Sequence, residues 1–292
     1  FPDSECGNQA MHYRYSENTV ARELVPAGGE SVKERKSKQE NSLKINIIGA
    51  TPLDFSINST LDFIKEFLSR HFEIISTFAM GSSIEDIQRA GEADVNLVIS
   101  SVGVLAAKVL EERFHTPYVI GTPIIGFENV LAEKLIESAW TKKSQTAYFS
   151  VLQKAHKKDT ANFTTIQNTE AVSNLKKIRS LTETIEKNKV SGNVYIIGES
   201  VISQSLKAAL ALRYGIEATV ICPLETEPEY TEKDVLLLSS EEDIKKAITD
   251  ADTVIADPIY KTICSEKVNF VAMPHEAYSG RIYRKEVCDF IH

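Results

Sequence analysis

Cysteine is scarce in this sequence. Cys6, Cys222, Cys264 and Cys288 are the only four in 292 residues, widely separated and without a CxxC pair. That spacing argues against a disulfide framework and against a self-contained zinc site. Cys222 and Cys264 read instead as small core residues at a strand or helix end, and a reducing, cytoplasmic compartment fits. No apolar run approaches the ~18 residues that cross a bilayer, so no membrane association is expected. The opening Phe1-Pro2-Asp3 carries neither a Met nor a signal-peptide pattern. Basic charge is short as well: 33 Lys and Arg against 41 Asp and Glu leave a net charge of -8. A nucleic-acid partner, whose phosphates need clustered cations, is therefore not expected. The one basic stretch, Lys33-Glu34-Arg35-Lys36-Ser37-Lys38, lies between Gly28-Gly29 and Gln39-Glu40-Asn41-Ser42 and reads as a solvated linker.

Familiar catalytic signatures are missing too. The loops Gly49-Ala50-Thr51-Pro52-Leu53-Asp54 and Gly198-Glu199-Ser200-Val201-Ile202-Ser203 lack the second and third glycines that let a backbone approach a pyrophosphate. There is no GxxxxGK[ST] phosphate loop, no GxSxG elbow and no closely spaced His/Glu pair of the metalloprotease kind. The acids Glu85-Asp86 and Glu241-Glu242-Asp243 sit where a helix dipole favours negative charge and read as helix starts.

What is present is a length suited to two domains and an internal repeat. Lys44-Ile45-Asn46-Ile47-Ile48-Gly49 parallels Asn193-Val194-Tyr195-Ile196-Ile197-Gly198, each a β-branched run closed by Gly. Ser83-Ile84-Glu85-Asp86-Ile87-Gln88-Arg89-Ala90 parallels Ser240-Glu241-Glu242-Asp243-Ile244-Lys245-Lys246-Ala247, each opening on a serine able to cap a helix. Strands are expected near 44–49, 72–79, 94–100 and 117–122, then near 193–198, 217–222, 234–239, 253–257 and 268–274. Alternation with helices and nearly continuous apolar strands imply α/β architecture: two doubly wound, parallel-sheet, Rossmann-like domains joined by a helical linker. The boundaries expected are 1–43 for an N-terminal helix and linker, 44–140 for the first domain, 141–191 for the linker and 192–292 for the second domain. Val172, Leu175, Ile178, Leu181 and Ile185 fall at helical spacing, so one bracing helix is expected there, stopped at Ser191-Gly192. Residues 141–170 carry little pattern and read as an insertion.

In such sheets ligands lie beyond the carboxyl ends of the strands, which directs attention to the loops after Gly49, Met80, Ser100, Thr122, Gly198, Asp257 and Pro274. The last strand ends in Met273-Pro274-His275-Glu276-Ala277-Tyr278-Ser279-Gly280. Pro274 restricts the backbone before it and Gly280 permits a tight turn, so the loop can hold one imidazole in place. Two readings stay open for His275: a metal ligand or proton donor in an interdomain cleft, or a side chain that only bonds a neighbouring loop.

Five segments in order resemble the nitrogenase component 1 superfamily. Ile45-Asn46-Ile47-Ile48-Gly49 resembles its "VNIIG" strand, Gly81-Ser82-Ser83-Ile84-Glu85-Asp86-Ile87 its glycine turn into a helix, and Ala93-Asp94-Val95-Asn96-Leu97-Val98 its "A-x-x-N-L-V" strand. Leu110-Glu111-Glu112-Arg113-Phe114-His115-Thr116-Pro117-Tyr118 is similar to its "M-E-x-x-(Y/F)-G-(I/T)-P" segment, with His115 where the family has Gly, and His275 to Gly280 resembles "H-(S)-W-D-Y-S-G", one residue shorter. The similarity runs from about residue 7 to the end, with 141–170 unmatched.

The resemblance implies that His275 stands where the catalytic molybdenum–iron subunit has its molybdenum-ligating histidine. It also puts Ser100 where that subunit has a cluster-ligating cysteine. A hydroxyl is a poor ligand for a soft iron–sulfur iron, so a standard molybdenum–iron cofactor is not expected. Residues 7–25 resemble only the last helix of the family's N-terminal cysteine-bearing domain, so 1–43 is read as that domain's remnant, with Gln9 matching a cavity-lining glutamine. Gly49, Ser100, Gly198, Ser200, Tyr278 and Gln9 are the cofactor-binding candidates, with His275 as catalytic residue or metal ligand. The implied function is an oxidoreductase subunit. It would take electrons from an ATP-dependent iron–sulfur reductase, pair with a homologous component 1 subunit (another copy or a different chain), and hold a metallocluster or tetrapyrrole-like substrate. An iron–sulfur or other cluster is expected only in a full complex and none in this chain alone. Two alternatives belong to other classes: a non-catalytic scaffold or carrier for metal-cofactor assembly, and a metal- or siderophore-binding protein of the two-domain, helix-linked type.

Overall fold

A computed structural model describes residues 42–55, 60–149, 151, 179–283 and 286–291. The first sheet is parallel, built from β1 (Leu43–Ile48), β2 (Phe72–Thr77), β3 (Val95–Val98), β4 (Tyr118–Ile120) and β5 (Gln145–Thr146) in the order β2-β1-β3-β4-β5. It is wound with α1 (Pro52–Phe55), α2 (Thr60–Ser69), α3 (Ile84–Gln88), α4 (Val104–Phe114) and α5 (Glu128–Thr141). A short parallel pair, β6 (Arg179–Ser180) with β12 (Cys288–Asp289), and α6 (Leu181–Lys187) precede and close the second domain. That domain's parallel sheet comprises β7 (Val194–Ile197), β8 (Ala218–Cys222), β9 (Leu236–Leu237), β10 (Thr253–Ala256) and β11 (Asn269–Ala272) in the order β11-β10-β7-β8-β9. Its helices are α7 (Ser200–Tyr214), α8 (Glu241–Ala247) and α9 (Gly280–Tyr283).

The strands form where apolar runs can be covered on both faces, and every residue of β3 and β10 is buried. Asn46 and Asn96 are two of the polar exceptions, each fully buried in a motif strand. Asn46 Nδ2 donates to Asn96 Oδ1 at 2.7 Å and to Ala90 O at 2.9 Å, Ser76 Oγ donates to Asn46 Oδ1 at 2.7 Å, and Asn96 Nδ2 donates to Thr116 O at 3.3 Å. These bonds join β2, β1 and β3, so a slip of one residue would strand buried amides. Both predicted helix-capping serines act as caps: Ser83 Oγ accepts from Asp86 N and Ser240 Oγ from Asp243 N.

The repeat is visible as a shared four-strand core, with β2-β1-β3-β4 matching β8-β7-β10-β11 in spatial order. The registers agree: Ile48 pairs with Val98 at the end of β1, and Ile197 pairs with Ala256 at the end of β7. Gly49 and Gly198 follow at once, at equivalent strand ends. The domains differ at an edge, β5 lying beyond β4 and β9 beyond β8.

Three readings of the 141–191 segment need correction. Gln145–Thr146 is the first sheet's edge strand, and Ala147 and Tyr148 behind it are fully buried, so the start of the expected insertion belongs to the first domain. Two polar strand residues give no periodic signal, which hid them. The bracing helix is not continuous through Ile185, because Arg179–Ser180 pairs with Cys288–Asp289 and Ser180 then caps a new helix. That helix ends at Lys187 with Asn188 as its cap; Gly192, at φ 75°, serves the turn into β7 instead. Val172, Leu175 and Ile178 lie outside the described residues.

The two domains share a large core, and the second keeps a smaller cluster of its own around Ile221, Ile244 and Val254. The shared cluster of packed side chains includes Ile47 and Leu97 from the first sheet and Ile196 and Val220 from the second. Helix α7 fills the junction: each residue from Ser200 to Leu210 is buried, with Ser203, Ser205, Ala208 and Ala209 small enough for close approach. No described helix is long and apolar enough to cross a membrane.

Candidate functional site

Each sheet reverses its winding at one point, between β1 and β3 in the first domain and between β7 and β10 in the second. Crevices at such points are the ordinary ligand sites of open α/β sheets. Here the loops at the two points contact each other.

On the first-domain side, Gly49 has φ +87° and lies against Ser100; a Cβ there would stand 2.9 Å from Ser100 Oγ. Ser100 is fully buried, and its hydroxyl donates to Gly49 O at 2.8 Å. Gly103 closes the same crossing, since a Cβ on it would fall 2.8 Å from Gly49 N. Ser100 thus ties one strand end to the next, with its hydroxyl in use. On the second-domain side, Gly198 precedes Glu199, which caps α7 by accepting from Ile202 N at 2.8 Å through Oε2. Ser200 is buried and its Oγ accepts from Gln204 Nε2 at 3.0 Å.

Glu199 also crosses the junction: its Oε1 accepts from Ser101 N at 2.8 Å. The carboxyl is fully buried. Burial, reinforced by the nearby Asp54 charge, holds its pKa above the usual carboxylate range despite the two N–H donors.

The 275–280 loop is anchored by Asp257 at the end of β10. Asp257 Oδ2 accepts from His275 N at 2.8 Å and from Ser279 Oγ at 2.7 Å, while Oδ1 accepts from Ile259 N at 2.9 Å. The backbone N–H groups of Tyr278 and Gly280 both donate to His275 O. So held, the His275 ring reaches the first domain. Its Nε2 lies 3.4 Å from Asp54 Oδ1, with both side chains largely buried. That contact is within ion-pair distance but off a hydrogen-bond line, and Nε2 has no hydrogen-bond partner among the described residues. Nδ1 accepts from Ala277 N at 3.2 Å. The Tyr278 ring is centred 5.2 Å from the imidazole, and its hydroxyl too is buried outside normal hydrogen-bond geometry. Burial, with the Tyr260 phenol, Cys222 and Glu199 nearby, pushes the Tyr278 pKa up, so the phenol keeps its proton.

Of the residues expected from sequence, the junction gathers Gly49, Ser100, Gly198, Ser200, His275 and Tyr278; Gln9 lies outside the described residues. Of the carboxylates that organise the junction, Asp54 and Asp257 were not singled out as site residues, and Glu199 was expected only as part of the Gly198-Glu199-Ser200 loop facing the cleft. An acid on the segment that follows the strand-closing glycine of each half, Glu199 directly after Gly198 and Asp54 in the short helix beyond Gly49, was the available signal.

A metallocluster does not fit the described residues. Among them no three His, Cys, Asp or Glu side chains are grouped to hold a metal. Burial pushes the Cys222 thiol up to about 11, and its Sγ donates to Leu224 O. Cys264 Sγ donates to Tyr260 O. Two cavities lie away from the junction: one of about 540 Å³ among Lys108, Glu111, Tyr118 and Tyr230, and an open one of about 1460 Å³ by Asn193, Tyr195, Lys207 and Asp250.

The family is shown by the sequence itself. A sequence profile described as Nitrogenase component 1 type Oxidoreductase matches residues 7–257, stopping short of the His275 loop. A light-independent protochlorophyllide reductase subunit of Nostoc punctiforme is 30% identical over 122 residues, 39% of this chain and 24% of that protein. Its counterpart from Rhodopseudomonas palustris is 33% identical over 107 residues, 36% of this chain and 19% of that protein. The match therefore spans about a quarter or less of these relatives' length. Among solved structures, "Nitrogenase Cp1 at pH 5" aligns at 14% identity and a TM-score of 0.46, covering 89% of this chain and 55% of that one.

Proposed function

Because the chain belongs to the nitrogenase component 1-type oxidoreductase family, we propose that it is an oxidoreductase subunit that carries a tetrapyrrole-like substrate at the junction of its two domains. Electrons arrive from an ATP-hydrolysing iron–sulfur reductase, and a homologous component 1 subunit, identical or different, completes the complex, in a cytoplasmic setting. The observation that carries this reading is the buried polar pair at the facing strand ends, His275 Nε2 and Tyr278 Oη, neither in normal hydrogen-bond geometry with a described residue. Buried groups of that kind are rare without a bond to make, and these two share one loop. Reducing a double bond consumes two electrons and two protons; the reductase supplies the electrons, His275 one proton by general-acid transfer, and solvent water the other as well as the proton that restores His275. Tyr278, kept protonated, orients the substrate by donating a hydrogen bond. The choice of a conjugated organic substrate over a metallocluster follows the ill fit of the described residues to a cluster and the relatives' name as protochlorophyllide reductase subunits.

One observation favours a second reading, a non-catalytic scaffold for cofactor assembly. The resemblance puts Ser100 in the place of the catalytic subunit's ligating cysteine, and its hydroxyl is spent on Gly49 O. The two are separated by anaerobic reconstitution of the complete complex with its reductase and a conjugated tetrapyrrole. ATP-dependent change in the substrate's visible absorption is expected of the enzyme. Binding with no ATP-dependent change would support the scaffold instead.

A further inference from the structure

Both nitrogens of His275 are addressed, and from different domains. Within its own loop, Nδ1 accepts from Ala277 N at 3.2 Å, which requires that nitrogen to be bare. The proton of the neutral ring then sits on Nε2, the nitrogen 3.4 Å from Asp54 Oδ1. Asp54 is itself fixed: its Oδ2 accepts from Thr51 Oγ1 at 2.8 Å, and Thr51 follows the Gly49 loop on the first domain's crevice. Asp54 therefore presents Oδ1 toward the imidazole from across the domain boundary while Asp257 holds the loop's backbone from behind.

We infer that Asp54 is the positioning residue for His275: a first-domain carboxylate that favours the Nε2–H tautomer set by Ala277 N and holds the aim of a second-domain imidazole. The inference rests on the proposed role of His275. Because the contact is off the hydrogen-bond line, Nε2–H is steered by the carboxylate's charge yet free to bond a third group, as a proton donor must be. A carboxylate that orients an imidazole is a general device for setting its reactive form. Here the orienting group and the reactive loop belong to separate sheets, so the aim of the ring depends on how the domains pack.

The test uses the full-length chain labelled with ¹⁵N-histidine, without partners or substrate, with the His275 signals assigned by their loss in His275→Gln. In the wild type, His275 should be in the Nε2–H form, with an Nε2–H proton slow enough in exchange to be seen. In Asp54→Ala that proton signal should be lost to exchange with water, and in Asp54→Asn, whose amide oxygen can take the same place, it should return. In the complete complex, Asp54→Ala should lower kcat about 100-fold with KM nearly unchanged, the cost of a misaimed group, and Asp54→Asn should recover part of it. An unchanged Nε2–H signal in Asp54→Ala, or a wild-type proton on Nδ1, overturns the inference. These spectra need no turnover. A correct tautomer beside a His275 variant of full activity would therefore overturn the proposed reaction and leave the positioning intact.

Discussion

Replacing His275 by Ala should lower turnover of the complete complex by about 100-fold or more, the usual contribution of a positioned general acid. Binding of substrate should change far less, because the ring serves the proton transfer and Tyr278 with the surrounding loop remains. Stability should fall by only about 1 kcal/mol, the net worth of one hydrogen bond. The bond at risk is that from Ala277 N to Nδ1, and the side chain is 14% exposed rather than sealed in the core. Equilibrium unfolding and steady-state kinetics on the same variant check both parts. A loss above ~2 kcal/mol, in the range of buried-group deletions, with turnover unchanged would mark His275 as structural.

Glu199→Ala should have the larger effect on stability. It leaves Ser101 N and Ile202 N without their acceptor, at about 1–3 kcal/mol for each buried donor that water cannot reach. The N-terminal cap of α7 goes with it. About 2–4 kcal/mol is expected at pH 5. The pH dependence follows from the raised pKa of this carboxyl. A group with a higher pKa folded than unfolded binds more protons in the native state, so its contribution is fully present at low pH. That contribution declines as pH rises from the unfolded carboxyl range through the folded pKa. The wild type should therefore lose part of its advantage over Glu199→Ala between about pH 5 and pH 8, while Glu199→Gln, which cannot ionise, lacks that decline. Guanidinium unfolding at the two pH values reads the gap directly. A gap that widens with pH would mean Glu199 is ionised in the fold and stabilised by its donors.

Much of this architecture can be read from the sequence because of how its strands are covered. Runs such as Val95-Asn96-Leu97-Val98 and Thr253-Val254-Ile255-Ala256 are apolar enough to demand helices on both faces, and Gly49 and Gly198 mark where each chain reversal begins. The repeat was visible for the same reason: the serine-capped helices and their following strands occupy matched places in each domain. One edge strand was less legible. Gln145–Thr146 is two residues long and half-buried, so nothing in its polarity sets it apart from a loop. The junction lay further out of reach. Gly198-Glu199-Ser200 could be placed at a strand end, but that Glu199 would meet Ser101 depends on how two sheets pack, and Asp54 matters only through the His275 that faces it. Ser100 shows the converse. Its place at a strand end was readable, whereas its hydroxyl's bond to Gly49 O was not.

The central claim is that substrate is held where the strand ends of the two domains meet, and the most direct measurement is a cryo-electron microscopy structure of the complete complex with the tetrapyrrole bound. The account predicts ligand density at the rim of the Glu199–Ser101 contact, with a reducible atom within hydrogen-bond reach of His275 Nε2 and a polar group on Tyr278 Oη. Density seated instead in the Lys108–Tyr230 cavity or beside Lys207, with His275 still turned only to Asp54, would contradict it.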